Sequence, residues 1–272
     1  LAAFYRLPQL KEFLQVFALG FAAGPNGLRM EQMLRERGVE TDFVWVEGET
    51  RLNTVVVVSG GGQSTITSSS LKVSAEHALE FAAKYQSVLK SASCVVMGGS
   101  LPEGLLLEFY AEAIERAHEH EVPVIFDSSG PSLLAGIKSR PDLIKPNQTE
   151  LGELLGYMPS SREDVRQAAQ KLHAEYGSNV IVTLGSEGAI AQFGDDSYFV
   201  HPISIPVVSS AGAGDGVLAG IALAYARGES LEYGLQHGFA LAGAVLQTLG
   251  TADFRVEDYE ALVPQIRIEK ID

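Results

Sequence analysis

Apolar positions along this chain follow two different rhythms. The first twelve residues, LAAFYRLPQLKE, read as a short strand with a proline turn, and Phe13 to Leu19 as a buried strand. Residues 26–37 then carry Leu28, Met30, Met33 and Leu34 on one helical face and stop at Gly38, where a C-terminal cap is expected. Beyond it the period shortens. Phe43 to Val46 and Leu52 to Ser59 are β-rich and divided by a polar turn at 47–51, and Gly60 to Gly62 leads into a Thr- and Ser-rich extended piece. This pattern predicts a small antiparallel sheet.

From Ser74 the alternation becomes regular. It predicts helices over 74–89, 105–120, 149–155, 163–176 and 231–248, and strands over 94–97, 122–126, 143–144 and 180–184. A hairpin-like pair is expected near 189–193 and 198–201. Strands that are nearly all apolar, alternating with amphipathic helices, imply a parallel sheet covered on both faces. Ligands of such sheets sit outside the carboxyl ends of the strands. Gly98-Gly99-Ser100, Lys145-Pro146-Asn147 and Gly185-Ser186-Glu187-Gly188 each follow a predicted strand and so occupy that position. No internal repeat or low-complexity linker divides the chain, and one domain over residues 1–272 is expected.

The segment from Val207 to Arg227, VVSSAGAGDGVLAGIALAYAR, concentrates the chemistry. A strand-like apolar run ends at Ser209 and Ser210, Gly212-Ala213-Gly214-Asp215 follows, and Val217, Leu218, Ile221, Leu223 and Ala224 then continue with helical spacing. Glycines let the backbone turn tightly and aim consecutive N–H groups outward beside the unpaired amides of a helix start, which makes an anion site. A carboxylate at its mouth is useful if it takes a proton from a hydroxyl while the amides hold the charge developing on a transferring phosphoryl group. The alternative is that Asp215 caps the helix and the glycines form a plain turn.

Other motifs carry the same two-sidedness. Pro146 fixes the turn that aims Lys145, Asn147 and Glu150 at a strand-end crevice. Glu150 could help hold a hydrated Mg²⁺, or Asn147 and Glu150 could form a capping box, and the two are compatible. Gly185 and Gly188 permit close approach of a nucleotide, or make a hairpin turn. Arg51, in Gly48-Glu49-Thr50-Arg51, could grip a phosphate with paired hydrogen bonds or be a solvated turn residue. The Ser100 hydroxyl could cap a helix or bind an oxyanion. The six histidines show no metal-ligand spacing.

Composition narrows the partners. The chain has 272 residues and a formal net charge of −14, from 34 acidic against 20 basic residues, with no run of Lys and Arg, which argues against nucleic acid. The single Cys94 excludes an intramolecular disulfide, suits a reducing compartment and reads as a buried structural thiol. No uninterrupted apolar stretch of about 18 residues and no signal-like N-terminus stand out, so a soluble, cytoplasmic protein that does not associate with membranes is expected.

Five motifs in order carry a family likeness: GETRLN at 48–53, GGSLPEG at 98–104, LIKPNQTELGELLG at 143–156, VTLGSEGA at 182–189 and SSAGAGDGVLAG at 209–220. Together they resemble the PfkB branch of the ribokinase-like sugar kinases. LIKPN with GETR is most similar to its 1-phosphofructokinase and tagatose-6-phosphate kinase members, which phosphorylate an already phosphorylated ketohexose. The resemblance implies a ribokinase-like three-layer αβα sandwich with a mostly parallel central sheet and a small antiparallel β-lid, at approximately 1–12 and 42–69. It implies that Asp215 is the catalytic base and that the amides of Gly212, Ala213 and Gly214 form the anion hole. Lys145, Asn147, Thr183, Gly185, Gly188 and Gly243 match nucleotide-site positions, and Asn147 and Glu150 match a magnesium and phosphate motif that acts through water. Arg51 and Ser100 match sugar-phosphate contacts. ATP and Mg²⁺ are the implied cofactors, fructose 1-phosphate the first implied substrate, and a homodimer through the β-lid the implied assembly. Tagatose 6-phosphate, fructose 6-phosphate or a non-catalytic nucleotide or sugar-phosphate sensor are the alternatives. The family pattern is broken at one place: its lid-return segment and Gly-Gly-Lys-Gly-x-Asn stretch have no counterpart where Lys11-Glu12 meets Phe13, and Ala2 stands where a sugar-binding aspartate is expected. Losing that segment would leave an open sheet edge, so the native protein is expected to carry it in addition to these residues.

Overall fold

The computed structural model describes residues 14–57, 63–68, 71–250 and 253–272. The strand expected over 1–12, and Ala2 with it, lies outside the described residues. The chain divides into two compact units, one formed by the described residues up to Ser91 with Leu101–Leu106, the other by Ala92–Ser100 with Leu107–Asp272.

In the first unit, β1 (Phe17–Ala18) and β2 (Phe21–Ala22) lead into α1 (Gly24–Glu36), followed by β3 (Glu40–Thr41) and β4 (Val44–Trp45). β1 pairs with β3 and β2 with β4, both in parallel. Val44–Trp45 is therefore not part of the antiparallel sheet expected from its sequence: a crossover helix separates it from its partner, and such a connection makes parallel neighbours. The antiparallel piece is the hairpin of β5 (Asn53–Val57) and β6 (Gln63–Thr67), after which α2 (Ala75–Leu89) starts at a Ser74 capping box. The GET sequence before the hairpin closes the start of α1. Thr50 Oγ1 accepts from the Ala23 amide at 2.9 Å and Glu49 Oε1 from the Asn26 amide at 2.7 Å, so residues at a distance supply the cap that Ala23 lacks.

The second unit holds a seven-stranded sheet: β7 (Val95–Gly98), β8 (Val124–Asp127), β9 (Leu143–Ile144), β10 (Asn179–Thr183), β11 (Ala189–Phe193), β12 (Asp196–Val200) and β13 (Ile268–Ile271), in that spatial order. β7 to β10 run parallel, and β11 to β13 extend the sheet antiparallel. Val124, Ile125 and Phe126 of β8 are consecutive and all fully buried, as are Val180, Ile181 and Val182 of β10. Successive strand residues face opposite ways, so such runs require cover on both faces. Helices supply it: α3 (Phe109–Glu119), α4 (Gly130–Gly136), α5 (Gln148–Leu155), α6 (Arg162–Tyr176), α7 (Ala213–Arg227), α8 (Leu231–Leu246) and α9 (Val256–Leu262).

α7 and α8 touch backbone to backbone. Gly216 and Gly220 of α7 share a face, as do Gly234 and Gly238 of α8, because residues four apart stack on a helix. A Cβ on Gly220 would lie 2.2 Å from the Gly238 nitrogen, and one on Gly238 2.7 Å from the Val217 oxygen. This contact fixes how closely α7 lies against α8. Cys94, half-buried, donates its thiol to the Ala222 carbonyl of α7 at 3.6 Å, and burial pushes the thiol up to about 11, which suits the structural reading.

Other features depart from the sequence pattern too: among the described residues the buried strand expected over 13–19 is only Phe17–Ala18, with Phe17 exposed. Val207 and Val208 do not end a strand; residues 201–212 are irregular, because Pro202 and Pro206 withhold donors a ladder would need, and the Val208 amide donates instead to the Leu246 carbonyl at 2.7 Å. The helix expected from Leu105 begins at Phe109, leaving Leu106 and Leu107 exposed. α4, α9 and β13 were not legible: the first two have seven residues each, and β13 is a short edge strand with charged residues at its centre.

Candidate active site

Four chain segments meet at the carboxyl ends of the parallel strands. β7 ends at Gly98, opposite Asp127 at the end of β8. A Cβ on Gly98 would sit 1.7 Å from the Asp127 carbonyl oxygen, so no other residue fits. Gly99 follows at φ +91°, its amide donating to that same carbonyl at 3.0 Å. Two side chains hold the other side of the turn. Tyr110 donates its hydroxyl to the carbonyls of Gly98 at 2.7 Å and Gly99 at 3.1 Å, and Ser128 donates to Gly99 at 3.0 Å. Ser100 is delivered by this turn.

β9 runs directly into Lys145, whose side chain is buried and whose ammonium lies 3.3 Å from Asp127 Oδ1. Burial pushes the Asp127 carboxyl above the ordinary range; Lys145 pulls it back, while Glu150 and Asp215 push it up further. All three carboxylates line one cavity. Pro146 and Asn147 join the neighbouring strand end: the Thr183 amide donates to the Pro146 carbonyl at 3.1 Å, and Asn147 bridges to Thr183. Asn147 and Glu150 form a capping box on α5. The Glu150 amide donates to Asn147 Oδ1 at 3.0 Å, and the Asn147 amide to Glu150 Oε2 at 2.8 Å.

The fourth segment is the start of α7. Its N-cap is Gly212, at φ +88° with no capping side chain, and Asp215 sits in the first turn, exposed. Asp215 is therefore not the cap residue, although a carboxylate in the first turn still complements the positive end of the helix. Gly214 leaves room for Lys145: a Cβ there would be 3.2 Å from the ammonium.

One cavity of about 590 Å³ joins these parts, lined by Ser100, Asp127, Ser128, Ser129, Glu150 and Asp215 together with the Gly98-Gly99 turn. Asp215, Glu150 and Ser100 are thus brought together, with Lys145 beneath them. Thr183, Gly185, Gly188 and Gly243 are not among its lining residues. Gly185 begins a single 3-10 turn and Gly188 ends it, and Gly188, at φ +94°, lies where a Cβ would meet the Val200 carbonyl oxygen at 2.1 Å, so the backbone there requires glycine. Gly243 faces Ile203 and Leu262, whose methyl carbons would be 2.8 and 3.0 Å from a Cβ. Arg51 belongs to the first unit and is exposed. Asp127 escaped the sequence reading, although the signal was present: it ends an apolar strand and precedes Ser128-Ser129-Gly130, the same strand-end position that singled out three other motifs.

The chain matches the model of the pfkB family carbohydrate kinases over residues 9–258. The chain belongs to this family. Among curated proteins it is 32% identical over 260 residues to the 1-phosphofructokinase of Bacillus subtilis, covering 93% of this chain and 82% of that one. It is 30% identical over 256 residues to the 1-phosphofructokinase of Haemophilus influenzae, covering 93% and 81%. Among solved structures, phosphofructokinase-2 from Escherichia coli in complex with potassium superposes with a TM-score of 0.87 at 26% identity, over 97% of this chain and 84% of that one. The fold is thus the three-layer α/β fold of the ribokinase-like kinases, and the protein is a phosphotransferase acting on carbohydrate hydroxyls. Among the described residues no helix is long and apolar enough to cross a membrane.

Proposed function

We propose that this kinase transfers the γ-phosphoryl group of ATP to the free primary hydroxyl of fructose 1-phosphate, giving fructose 1,6-bisphosphate. The observation that carries the reading is the meeting of Asp215, at an uncapped helix start, with the Ser100 turn and two further carboxylates in one cavity. The curated relatives' names supply the substrate.

Asp215 accepts the proton of the attacking hydroxyl while the amides of Gly212, Ala213 and Gly214 receive the charge that grows on the transferring phosphoryl oxygens. Ser100 orients the sugar, and Arg51 grips the phosphate already present. Lys145, Asn147, Thr183, Gly185, Gly188 and Gly243 serve the nucleotide, Lys145 as the buried cation nearest the phosphates. Among the described residues no group of three or more His, Cys, Asp or Glu side chains forms a metal cage by itself. Glu150 and Asp127 instead offer one or two carboxylates beside a phosphate site, the donor set that suits Mg²⁺ with its waters retained. Bound there, the ion would neutralise phosphate charge. The chain functions as one kinase domain, with the β5–β6 hairpin as its lid. An isolated hairpin is marginal in water, and Val56 and Ile66 are exposed on this one, which supports a homodimer joined through it. The negative charge and single thiol fit the cytoplasm.

A coupled ADP-release assay with Mg-ATP tests the reading against fructose 1-phosphate, fructose 6-phosphate, tagatose 6-phosphate, fructose, ribose and adenosine. Turnover with fructose 1-phosphate well above the rest is expected. No turnover with any sugar, alongside ligand-induced thermal stabilisation, would replace the kinase with a sensor.

A further inference from the structure

The turn that presents Ser100 is made of the most permissive backbone a chain can have. Two consecutive glycines restrict φ and ψ very little, and Gly99 occupies φ +91° without any side chain to hold it there. Its order must come from outside. The backbone holds Gly98 through its pairing with Asp127 at the end of the β7–β8 ladder and Gly99 through its amide's bond to the Asp127 carbonyl, and two donors come from side chains. Ser128 reaches only the Gly99 carbonyl, whereas Tyr110 spans the carbonyls of Gly98 and Gly99 from the first turn of α3.

We propose that Tyr110 is a positioning residue for the sugar-phosphate end of the site, holding the Gly98-Gly99 carbonyls so that Ser100 meets the substrate in one orientation. The inference rests on the reading of Ser100 as a sugar contact. Tyr110 is well placed for a fixed role. Its ring is buried, 5.1 Å from Phe126 at the core of β8 and 5.8 Å from Phe109, so the hydroxyl is carried on a rigid base. Burial pushes the phenol up to about 12, which keeps it a donor throughout the working pH range. The residue lies outside the cavity lining and acts on substrate only through the turn.

Tyr110→Phe keeps the ring and deletes the one hydroxyl proton shared between the two carbonyls, so the fold survives while the turn loosens. Amide hydrogen exchange of a peptide spanning the turn should accelerate. The KM for fructose 1-phosphate should rise about fivefold to tenfold, the scale of one lost hydrogen bond, with the KM for ATP changed by less than about twofold. Ser100→Ala, assayed alongside, should raise the same KM. Faster exchange with an unmoved sugar-phosphate KM would make Tyr110 a merely structural tie and overturn the inference, as would a parallel rise in both KM values or no change in exchange. An unmoved KM in Ser100→Ala would instead remove the assignment of this turn to the sugar, and the role of Tyr110 with it.

Discussion

The ammonium of Lys145 and the carboxylate of Asp127 lie 3.3 Å apart at the ends of adjacent parallel strands, with Lys145 almost fully buried and Asp127 one-quarter exposed. Neither charge is comfortable alone. Burial raises the Asp127 carboxyl, and the nearby Glu150 and Asp215 add to that, so Lys145 is what keeps a carboxylate in the floor of the cavity.

Removing that cation should be expensive. Lys145→Met leaves Asp127 beside two other carboxylates, and the expected loss is about 2–3 kcal/mol, below the full cost for a buried pair because Asp127 is partly wet. Urea unfolding measures it. Pairing Lys145→Met with Asp127→Asn should recover part of the loss; a double variant as unstable as the sum of the singles would show that the two groups do not support each other.

Asp215 presents the opposite case, since its side chain is exposed and it is not the N-cap of α7. Asp215→Asn should therefore leave stability within about 0.5 kcal/mol of the parent while lowering kcat by about a thousandfold or more. Thermal melting and the ADP-release assay report the two quantities separately. A variant that retains most of its turnover would move the proton-accepting role elsewhere, Asp127 being the next carboxylate.

Gly220 couples the fold to that site. A methyl group there meets the Gly238 nitrogen at 2.2 Å, the Gly238 Cα at 2.3 Å and the Gly234 oxygen at 2.5 Å, all backbone atoms that cannot turn aside. Gly220→Ala gains about 1 kcal/mol of helix propensity yet forces α7 and α8 apart, for a net destabilisation of about 2 kcal/mol. Because α7 carries Asp215 at its start, kcat should fall as well. Chemical denaturation beside steady-state kinetics would separate these effects, and unchanged stability would mean the helices yield more easily than their contact suggests.

The sequence made the parallel part of the fold legible because its strands are buried on both faces and read as unbroken apolar runs, as at Val180 to Val182. The strand-end rule located the Ser100 and Lys145 segments without any view of their contacts, whereas the glycine motif at 185–188 that it also singled out is absent from the cavity lining and the Asp215 segment follows irregular chain rather than a strand. It failed where structure depends on partners distant in sequence. Nothing local in Val44-Trp45 distinguishes a parallel from an antiparallel neighbour, and the two prolines that unseat Val207 and Val208 from a strand were outweighed by their apolar pattern. The Asn147 and Glu150 pair shows a different limit. Its capping box is formed, and Glu150 also lines the cavity, so a helix-start signature does not by itself exclude a place in the candidate site.

A last expectation concerns pH. His237 on α8 lies with its Nδ1 2.5 Å from the Tyr259 hydroxyl and its ring 4.1 Å from that of Tyr233. Burial is the main cause that lowers its pKa, the positive charge of Arg227 adds to it, and Glu229 opposes both weakly. The folded state thus prefers the neutral imidazole, whereas the unfolded chain takes up a proton at the ordinary histidine value of about 6.5. This contribution to stability is complete above that value and is lost as pH falls from it through the lower folded-state pKa, since the unfolded state then binds more protons. Melting temperatures measured from about pH 8 to about pH 5 should decline more steeply in the parent than in His237→Gln, which has no proton to gain. Parallel declines in the two proteins would place the acid sensitivity in other groups.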